Sequence, residues 1–416
     1  MEKTPEELFE ERIKRVEDAI QLKVPDRVPI TPFFGFFSAK YAGVTCEELM
    51  YDYDKLGVVE RKTILDFQPD MYVNPYTYAL LGPLMEALDY KELKWPGHGV
   101  SPTSSYQFVE GEYMKADEYD AFLFDPSDWI LRTYLPRTCG ALEPLQQLFP
   151  FRQFHYYMAT LGRFSVFGLP EVATAIESLL KAGREALKMV SAAASFDKEM
   201  KGLGFPPQFA PSTHAPFDAL GDALRGTRGI MLDMYRQPDK LLEACEKLTP
   251  VMIEMGVSGA KRAGVPRVFI PLHKGPEGFM SLKQFKTFYW PGLKKIMEGL
   301  IDAGLTPCPL FEGNYTSRLE IISDIPKGKA VYHFECTDIF KAKEILGDRV
   351  CIRGNVPLSL LCTGTPEEVK DYCKKLIDVV GKDGGFIMDA GATLDDAKPE
   401  NVKAMCDFTK EYGVYG

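Results

Sequence analysis

The chain has 416 residues, of which 45% are hydrophobic, and a formal net charge of −10. A chain of this size can bury a large core, and we expect it to fold as a single domain over residues 1–416. The acidic balance and the lack of Lys/Arg runs interleaved with aromatic residues argue against a nucleic-acid surface. No apolar run approaches the about 18 residues of a membrane helix, and the first residues lack the apolar stretch of a signal peptide, so we expect a cytoplasmic protein with no membrane segment.

The nine cysteines occur singly, without a Cys-x-x-Cys pair. This pattern indicates neither a zinc knuckle nor a disulfide framework. We expect most of them to be buried free thiols in a reducing compartment.

Residues 1–25 are predicted to form an N-terminal helix. Between 5 and 21, apolar residues recur at helical spacing and most other positions are charged, as in a helix that lies on the surface of a larger fold. The elements predicted next are a strand over 28–37, a helix over 46–64 and a strand over 71–73.

The segment 90–165 contains many aromatic residues, prolines and glycines and shows no regular apolar period. It is longer than the connections of a compact domain usually are. We expect an insertion over the mouth of the fold that forms a substrate wall or a lid. The same aromatic residues would also suit a homodimer interface, and this alternative stays open.

After the insertion, strands and helices alternate with short connections. The predicted elements are helix 170–193, strand 208–211, helix 237–264, strand 267–272, helix 281–303, strand 305–311, strand 329–334, helix 339–346, strand 349–352, helix 365–380, strand 385–388 and helix 399–412. This order predicts a parallel sheet with right-handed crossovers. With the two earlier strands it gives a (β/α)₈ TIM barrel with an N-terminal helical extension and a long aromatic insertion, whose chemistry belongs at the carboxyl ends of the strands.

Several motifs in the last quarter of the chain resemble one known family. They are Gly-Asn-Val-Pro at 354–357, Leu-Leu-Cys-Thr-Gly-Thr-Pro-Glu-Glu-Val at 360–369, Gly-Gly-Phe-Ile-Met at 384–388 and Pro-Glu-Asn-Val-Lys-Ala-Met at 399–405. The chain is similar to the uroporphyrinogen decarboxylase superfamily in these runs. That superfamily contains both porphyrinogen decarboxylases and methyltransferases that act with corrinoid proteins, so the site residues must decide the activity.

The decarboxylase branch has an arginine-rich loop after the first strand and a histidine in the turn after the last strand. Here the first strand runs into Ser38-Ala39-Lys40 and the last turn is Ala390-Gly391-Ala392. The carboxylates of a porphyrinogen need several guanidinium or amide donors. The resemblance therefore argues against porphyrinogen decarboxylation.

In the methyltransferase branch, the resemblance implies a zinc ion. The histidine and the two cysteine ligands common in that branch are absent, because Leu310, Glu312 and Ala392 stand at those positions. A Glu/His ligand set is used instead by the members that demethylate ethers, and Glu312 and His333 have the matching Glu-x₂₀-His spacing. We predict His273 as the third zinc ligand, with Glu335 as an alternative. The other possibility is that Glu312 pairs with an arginine, either Arg353 or Arg318, and that no metal binds.

Further candidates follow other predicted strands. His214 and Asp218 are separated by one helical turn and are predicted as a catalytic acid/base pair together with Glu312, although Asp218 would equally serve as the N-cap of a helix over 218–225. Polar and aromatic residues at other strand ends are predicted to bind the substrate: Phe36, Asn74, Tyr76, Arg353 and Asn355.

From these features we predict the methyltransferase component of a corrinoid-dependent system, which demethylates a small methylated substrate, such as an O-methyl or methoxy compound, and passes the methyl group to a cob(I)alamin protein. The chain lacks an Asp-x-His-x-x-Gly run, so the cobalamin is expected on a separate corrinoid-binding partner protein. Two alternatives stay open. One is a decarboxylase or other lyase of a small aromatic acid that uses Arg353 and His214, and the other is a catalytically degenerate binding protein.

Overall fold

A computed structural model describes residues 3–79 and 81–416. Its main sheet consists of five parallel strands, each paired with the next in the chain. They are Arg267–Leu272, Thr306–Phe311, Val331–Phe334, Cys351–Arg353 and Phe386–Ile387. The parallel pairing predicted for this part of the chain is confirmed.

Three shorter extended segments complete the circle through single bridges. Ile30 pairs with Met388, Tyr72 with Pro207 and Ser212 with Phe269. The remaining gap is spanned by a hydrogen bond of 2.8 Å from the Asp70 amide to the Ile30 carbonyl. The eight segments thus form the predicted (β/α)₈ barrel.

The helices surround this barrel. In chain order the α-helices are Pro5–Ile20, Phe37–Ala42, Cys46–Tyr51, Tyr53–Phe67, Gly82–Leu88, Tyr119–Phe124, Pro126–Trp129, Leu135–Thr138, Tyr157–Arg163, Pro170–Gly202, Pro216–Asp218, Gly226–Arg236, Pro238–Ala263, Leu282–Gln284, Trp290–Asp302, Leu319–Ile322, Ile339–Leu346, Leu358–Thr363, Pro366–Val379 and Pro399–Tyr412. Single π turns follow at Ile130–Tyr134, Ala219–Leu224 and Phe285–Tyr289, and 3₁₀ turns at Pro75–Thr77, Gly140–Gln147, Phe151–Gln153, Phe164–Gly168 and Thr316–Arg318. The one helix predicted over 46–64 is divided at Asp52, whose side chain accepts a hydrogen bond from the Lys55 amide and starts the second helix.

The segment 90–165 is more regular than its sequence pattern indicated. It contains a small sheet of the strands Leu93–Pro96, Gly99–Val100 and Gln107–Phe108, followed by the short helices already given. Tyr119 and Phe122 are fully buried in the main core. The burial of these rings stabilises the segment. It could not be predicted, because the local sequence has no regular apolar periodicity.

The helix Pro5–Ile20, where the sequence predicts the N-terminal helix, closes one end of the barrel. Its buried face presents Val16, Ala19 and Ile20. These side chains pack against residues near the amino-terminal ends of the strands, among them Cys308 and Val331. This is the end opposite the carboxyl face of the barrel.

Replacing Ile20 by Val should lower the free energy of unfolding by about 0.5–1.5 kcal/mol, because it removes one buried methylene from this contact. Ile20 is 2% exposed, whereas the nearby Val24 is 54% exposed. Val24→Ala is the control and should stay within about 0.5 kcal/mol of the wild type. Urea titration measures the free energy of unfolding of both variants. Equal losses would contradict the packing of Ile20 against the end of the barrel.

Among the described residues, no helix is long and apolar enough to cross a membrane.

Candidate active site

Two polar side chains meet where adjacent strands end at the carboxyl face. Leu272 and Phe311 are register partners at the ends of their strands. The residues that follow them, His273 and Glu312, therefore lie side by side, with 3.5 Å between His273 Nε2 and Glu312 Oε1. Their side chains are 36% and 39% exposed, so both face the open end of the barrel.

Asp222 completes this group from the other side of the imidazole. Its Oδ2 lies 2.6 Å from His273 Nδ1, and its Oδ1 lies 3.1 Å from Lys274 Nζ. Burial works against a charged imidazole, but hydrogen bonds and the charges of Asp222 and Glu312 outweigh it and raise the pKa of His273 to about 10. At neutral pH the His273 ring is thus an imidazolium held between two carboxylates.

Asp218 lies beneath this group and is fully buried. Its carboxylate accepts hydrogen bonds from the amides of His273 (3.2 Å) and Lys274 (2.9 Å) and from the Tyr289 hydroxyl (2.5 Å). Burial, reinforced by the charge of Asp222, raises the pKa of Asp218 to about 7. These bonds fix the backbone at the strand end, so Asp218 positions His273 rather than facing a substrate.

His214 lies near His273 but is not joined to Asp218 by a hydrogen bond within the described residues. Burial and the positive charge of His273 lower the pKa of His214. Its ring is therefore neutral at pH 7. The alternative prediction for Asp218, an N-cap at the start of a helix, is wrong, because the helix begins at Pro216.

Of the predicted zinc ligands, His273 and Glu312 lie side by side, but His333 does not join them. His333 is the register partner of Leu310, two residues before Glu312, and is 3% exposed. Its Nε2 lies 2.8 Å from the Ala390 carbonyl oxygen, and burial holds the pKa of His333 well below its ordinary value. In the part of the chain that the structure describes, no group of three or more His, Cys, Asp or Glu side chains is placed to hold a metal ion. The residues present do not fit the predicted three-ligand zinc site.

The alternatives considered for this zinc site also differ from the structure. Glu335, the substitute ligand, accepts a hydrogen bond of 2.5 Å from the Gly313 amide. Glu312 pairs with His273 instead of an arginine. Arg318 donates to the backbone oxygens of Pro276 and Met280.

Arg353, predicted to bind substrate, lies inside the barrel and is 2% exposed. Its guanidinium donates to Asp389 Oδ2 from Nε at 2.8 Å and from a terminal nitrogen at 2.5 Å, and to the Thr31 carbonyl at 2.9 Å. Asn355 is also engaged, since its Nδ2 donates to the backbone oxygens of Glu335 and Thr337. Both side chains connect parts of the barrel to each other.

The three other predicted substrate-binding residues lie in a second core cluster or beside it. Asn74 Nδ2 donates to Asp197 Oδ1 at 2.8 Å, and the Tyr76 hydroxyl donates to the Tyr53 carbonyl at 2.6 Å. Phe36 is 4% exposed and packs edge-on against Tyr106 of the insertion, with 5.8 Å between ring centroids. The three side chains are therefore engaged in packing and in internal hydrogen bonds.

The structure also shows site residues that the sequence reasoning missed. Phe33, Tyr78, Phe209 and Phe269 form an aromatic group within the barrel, with neighbouring centroids 4.7–6.3 Å apart. Phe33, Tyr78 and Phe269 remain partly exposed. Two signals were available in the sequence. Phe269 alternates with Arg267, Pro271 and His273 on one side of a strand, and Asp222 follows Asp218 by four residues on a helix.

Comparison with known proteins identifies the family. A family model described as Uroporphyrinogen decarboxylase (URO-D) matches residues 172–412, more than half of the chain. The chain belongs to the uroporphyrinogen decarboxylase family. Among the curated relatives of this family member, the uroporphyrinogen decarboxylase of Psychromonas ingrahamii is 27% identical over 235 residues, which are 54% of the chain and 64% of the relative. That of Chlorobium luteolum is 40% identical over 184 residues, 43% of the chain and 51% of the relative.

The chain thus spans less than two thirds of the length of these uroporphyrinogen decarboxylases. A solved structure with the same fold is a methyltransferase from Methanosarcina mazei, with a TM-score of 0.65, 16% identity and coverage of 99% of both chains. At this identity, the similarity shows only that the two proteins share a fold.

Two carboxylates and one lysine surround His273 in the site of this uroporphyrinogen decarboxylase family member. Asp222 and Glu312 flank the imidazolium, and the adjacent Lys274 is occupied by Asp222 and by the Thr227 hydroxyl, 2.8 Å from its Nζ. Arg353, a further basic group inside the barrel, is paired with Asp389. The arrangement offers the His273 imidazolium as a charged hydrogen-bond donor between two carboxylates, and it suits a substrate without a cluster of carboxylates.

Proposed function

We propose that this chain is the methyltransferase component of a corrinoid-dependent system, which takes a methyl group from a small O-methyl substrate and passes it to a cob(I)alamin protein. The observation that carries the proposal is the His273 imidazolium, held between Asp222 and Glu312 at the open end of the barrel. The M. mazei methyltransferase, which shares the fold over nearly the whole chain, supports the same class of reaction.

The chemical need in ether demethylation is to stabilise the departing oxygen. When the methyl carbon–oxygen bond breaks, its electron pair stays on the oxygen as a developing alkoxide or phenolate. His273 can donate a hydrogen bond to that oxygen and then transfer its proton, so the product leaves as a neutral alcohol or phenol. The corrinoid, carried by the partner protein, supplies the nucleophile that accepts the methyl group.

The other residues of the site support this donor. Asp222 holds the Nδ1 side of the ring, which leaves Nε2 directed toward Glu312 and the opening. Asp218 fixes the backbone of His273 through its amide. The partly exposed rings of Phe33 and Phe269 offer apolar faces to the body of the substrate. No step of this proposal is routed through a metal, because His333 does not join His273 and Glu312 in the predicted three-ligand zinc site.

A decarboxylase of an aromatic acid fits this site less well. Such an enzyme needs a free cation to hold the carboxylate, and Arg353 is committed to Asp389 inside the barrel. A carboxylate beside His273 would also meet the negative charges of Asp222 and Glu312. Both features favour a neutral substrate.

We test the proposal with free cob(I)alamin in place of the unidentified corrinoid protein and 2-methoxyphenol as the methyl donor. The wild-type chain should accelerate the loss of the cob(I)alamin absorbance and release catechol. No catechol should form when the corrinoid is omitted. Lys261→Asn is the control, because Lys261 is an exposed residue outside both the insertion and the site. Release of CO₂ from 2-methoxybenzoic acid without corrinoid would assign the chain to the lyases. Binding of 2-methoxyphenol with neither reaction would assign it to the binding proteins.

The insertion 90–165 is proposed as a wall or lid over this opening. Its Tyr106 contacts Phe36, and its Glu112 carboxylate pairs with Arg225 at 2.7 Å. Limited proteolysis tests the proposal, since a lid should gain protection when 2-methoxyphenol is added.

A further inference from the structure

Two neighbouring segments at the carboxyl face of the barrel carry the candidate site. The first, residues 273–281, begins with His273 and is called the His273 loop below. The second, residues 312–318, begins with Glu312 and is called the Glu312 loop. The strands before them end side by side. The distance between the two functional side chains therefore depends on how the two loops are held together.

Arg318, the last residue of the Glu312 loop, is bonded to the His273 loop. One terminal nitrogen of its guanidinium donates to the Met280 carbonyl at 2.6 Å and to the Pro276 carbonyl at 3.2 Å. The guanidinium also lies over the Phe285 ring, with 5.0 Å between Cζ and the ring centroid. These contacts join the end of the Glu312 loop to the middle and the end of the His273 loop.

Stability alone does not explain an arginine at this position. Arg318 is 1% exposed. Within the described residues its hydrogen bonds go to two carbonyls and the Ser317 hydroxyl, and none goes to a carboxylate. Burial lowers the pKa of Arg318, which shows that the charged form is disfavoured there. Since a buried cation without a carboxylate partner is costly, the residue is better explained by what it holds in place.

Further contacts make the two loops one unit. The Glu277 amide donates to the Asn314 carbonyl at 2.9 Å, and the Glu277 carboxylate accepts a hydrogen bond from the Ser317 amide. Gly313 has a φ of +82°, and a Cβ added there would lie 2.9 Å from Cβ of Pro276. A side chain at position 313 would therefore push the two loops apart.

The residues beneath the loops connect this unit to the backbone of His273. Tyr315 of the Glu312 loop is fully buried, and a Cβ added at Gly275 would lie 2.5 Å from its hydroxyl oxygen. Tyr289 approaches the same glycine and donates to Asp218, which accepts a hydrogen bond from the His273 amide. The Glu312 loop is therefore packed on the residues that also fix the end of the neighbouring strand.

We propose that Arg318 is the positioning residue of the candidate site, which holds the Glu312 loop against the His273 loop and so sets the distance between the Glu312 carboxylate and the His273 imidazole. Arg318 acts through Glu312 and is not itself a catalytic group. The assignment rests on the proposed function, because His273 is the acid of that reaction. The charge of Arg318 has the opposite effect, since a nearby cation disfavours an imidazolium whereas a carboxylate favours it.

The titration of His273, followed by NMR on protein labelled with ¹³C-histidine, tests this role. The chain has five histidines, and the signal of His273 is assigned from its loss in His273→Asn. Arg318→Met should lower the pKa of His273 by about 1, because Glu312 moves away from the ring. Loss of the arginine charge alone would raise this pKa. The titration requires no methyl transfer, so its outcome is separate from that of the assay with 2-methoxyphenol.

Arg12→Met is the matched control for Arg318→Met. Arg12 is also a buried arginine, 8% exposed, which lies 3.8 Å from the Phe205 ring centroid and donates to the Gly204 carbonyl. It belongs to the closed end of the barrel, so its loss should lower the free energy of unfolding and leave the titration of His273 unchanged. A wild-type titration of His273 in Arg318→Met would overturn the proposal, whatever the stability of that variant.

Gly313→Ala tests the same geometry without removing a charge. Its methyl group should separate the loops and lower the pKa of His273, whereas Gly304→Ala, with a similar φ of +79° and nothing within 4 Å of the added Cβ, should not. The double variant Arg318→Met/Glu312→Gln should have the same pKa of His273 as Glu312→Gln alone, because Arg318 acts through Glu312. Equal titrations in the two glycine variants, or a further fall in the double variant, would refute the proposal.

Discussion

His273→Asn is expected to reduce the rate of methyl transfer by about 10²–10⁴-fold, the usual contribution of a general acid. Asparagine keeps a hydrogen-bond donor but carries no charge and cannot give up a proton to the departing oxygen. The free energy of unfolding is measured in parallel, because the pairing of the imidazolium with Asp222 and Glu312 also stabilises the fold at neutral pH. The rate is measured from the loss of cob(I)alamin absorbance with 2-methoxyphenol, and Lys261→Asn should retain the wild-type rate.

The pH dependence separates this role from a merely structural one. The pKa of His273 is raised to about 10 by its carboxylate partners, so the imidazolium persists below that pH and is lost as the pH rises through it. The wild-type rate should be flat near neutrality and fall on the alkaline side. Asp222→Asn removes one of these partners and should move the fall to lower pH. An unchanged alkaline limb in Asp222→Asn would contradict the charged form as the source of the rate.

Arg353→Met is expected to lower the free energy of unfolding by about 3–5 kcal/mol, because it leaves the carboxylate of Asp389 buried without its partner. Arg353 and Asp389 are 2% and 0% exposed, so water does not replace the lost hydrogen bonds. Urea denaturation followed by circular dichroism measures the loss.

Two further variants sharpen this measurement. Arg349→Met is the control, because Arg349 is 52% exposed and lies 3.9 Å from Asp348, and it should stay within about 0.5 kcal/mol of the wild type. The double variant Arg353→Met/Asp389→Leu should lose less stability than Arg353→Met alone, since it removes both buried charges. A double variant less stable than the single one would show that the cost comes from packing rather than from the unpaired carboxylate.

The order of strands and helices could be predicted because it depends on local apolar periods. The strand Arg267–Leu272 and the helix Ile339–Leu346 have the predicted bounds. The position of the first barrel strand could be predicted, but its length could not. The strand predicted over 28–37 is reduced to a bridge at Ile30, and a helix begins at Phe37. How much of such a run forms a strand depends on its pairing with distant segments. The sequence of the run does not show that pairing.

Only part of the site could be predicted, because the order of the strands can be predicted from the sequence but the register between them cannot. His273 and Glu312 directly follow neighbouring strands, so their proximity follows from the strand order. His333 was placed with them because it also follows an apolar run, but the register between strands lowers it to the level of Leu310. Register in a barrel depends on the shear of all its strands, which a spacing along one chain cannot reveal. The hydrogen bond from Asn74 to Asp197 could not be predicted, because Asp197 belongs to the helix Pro170–Gly202, which is distant in sequence.

The closed amino-terminal end of the barrel limits the order in which molecules can come and go. Val16 and Ile20 fill that end, so a molecule bound beside His273 has only the carboxyl face as its exit. If the corrinoid protein reaches the site through the same opening, it covers the substrate when it binds. The methyl donor must then enter first, and the demethylated product must wait until the partner has left. A barrel with one opening would thus impose a compulsory order on the proposed reaction between two proteins.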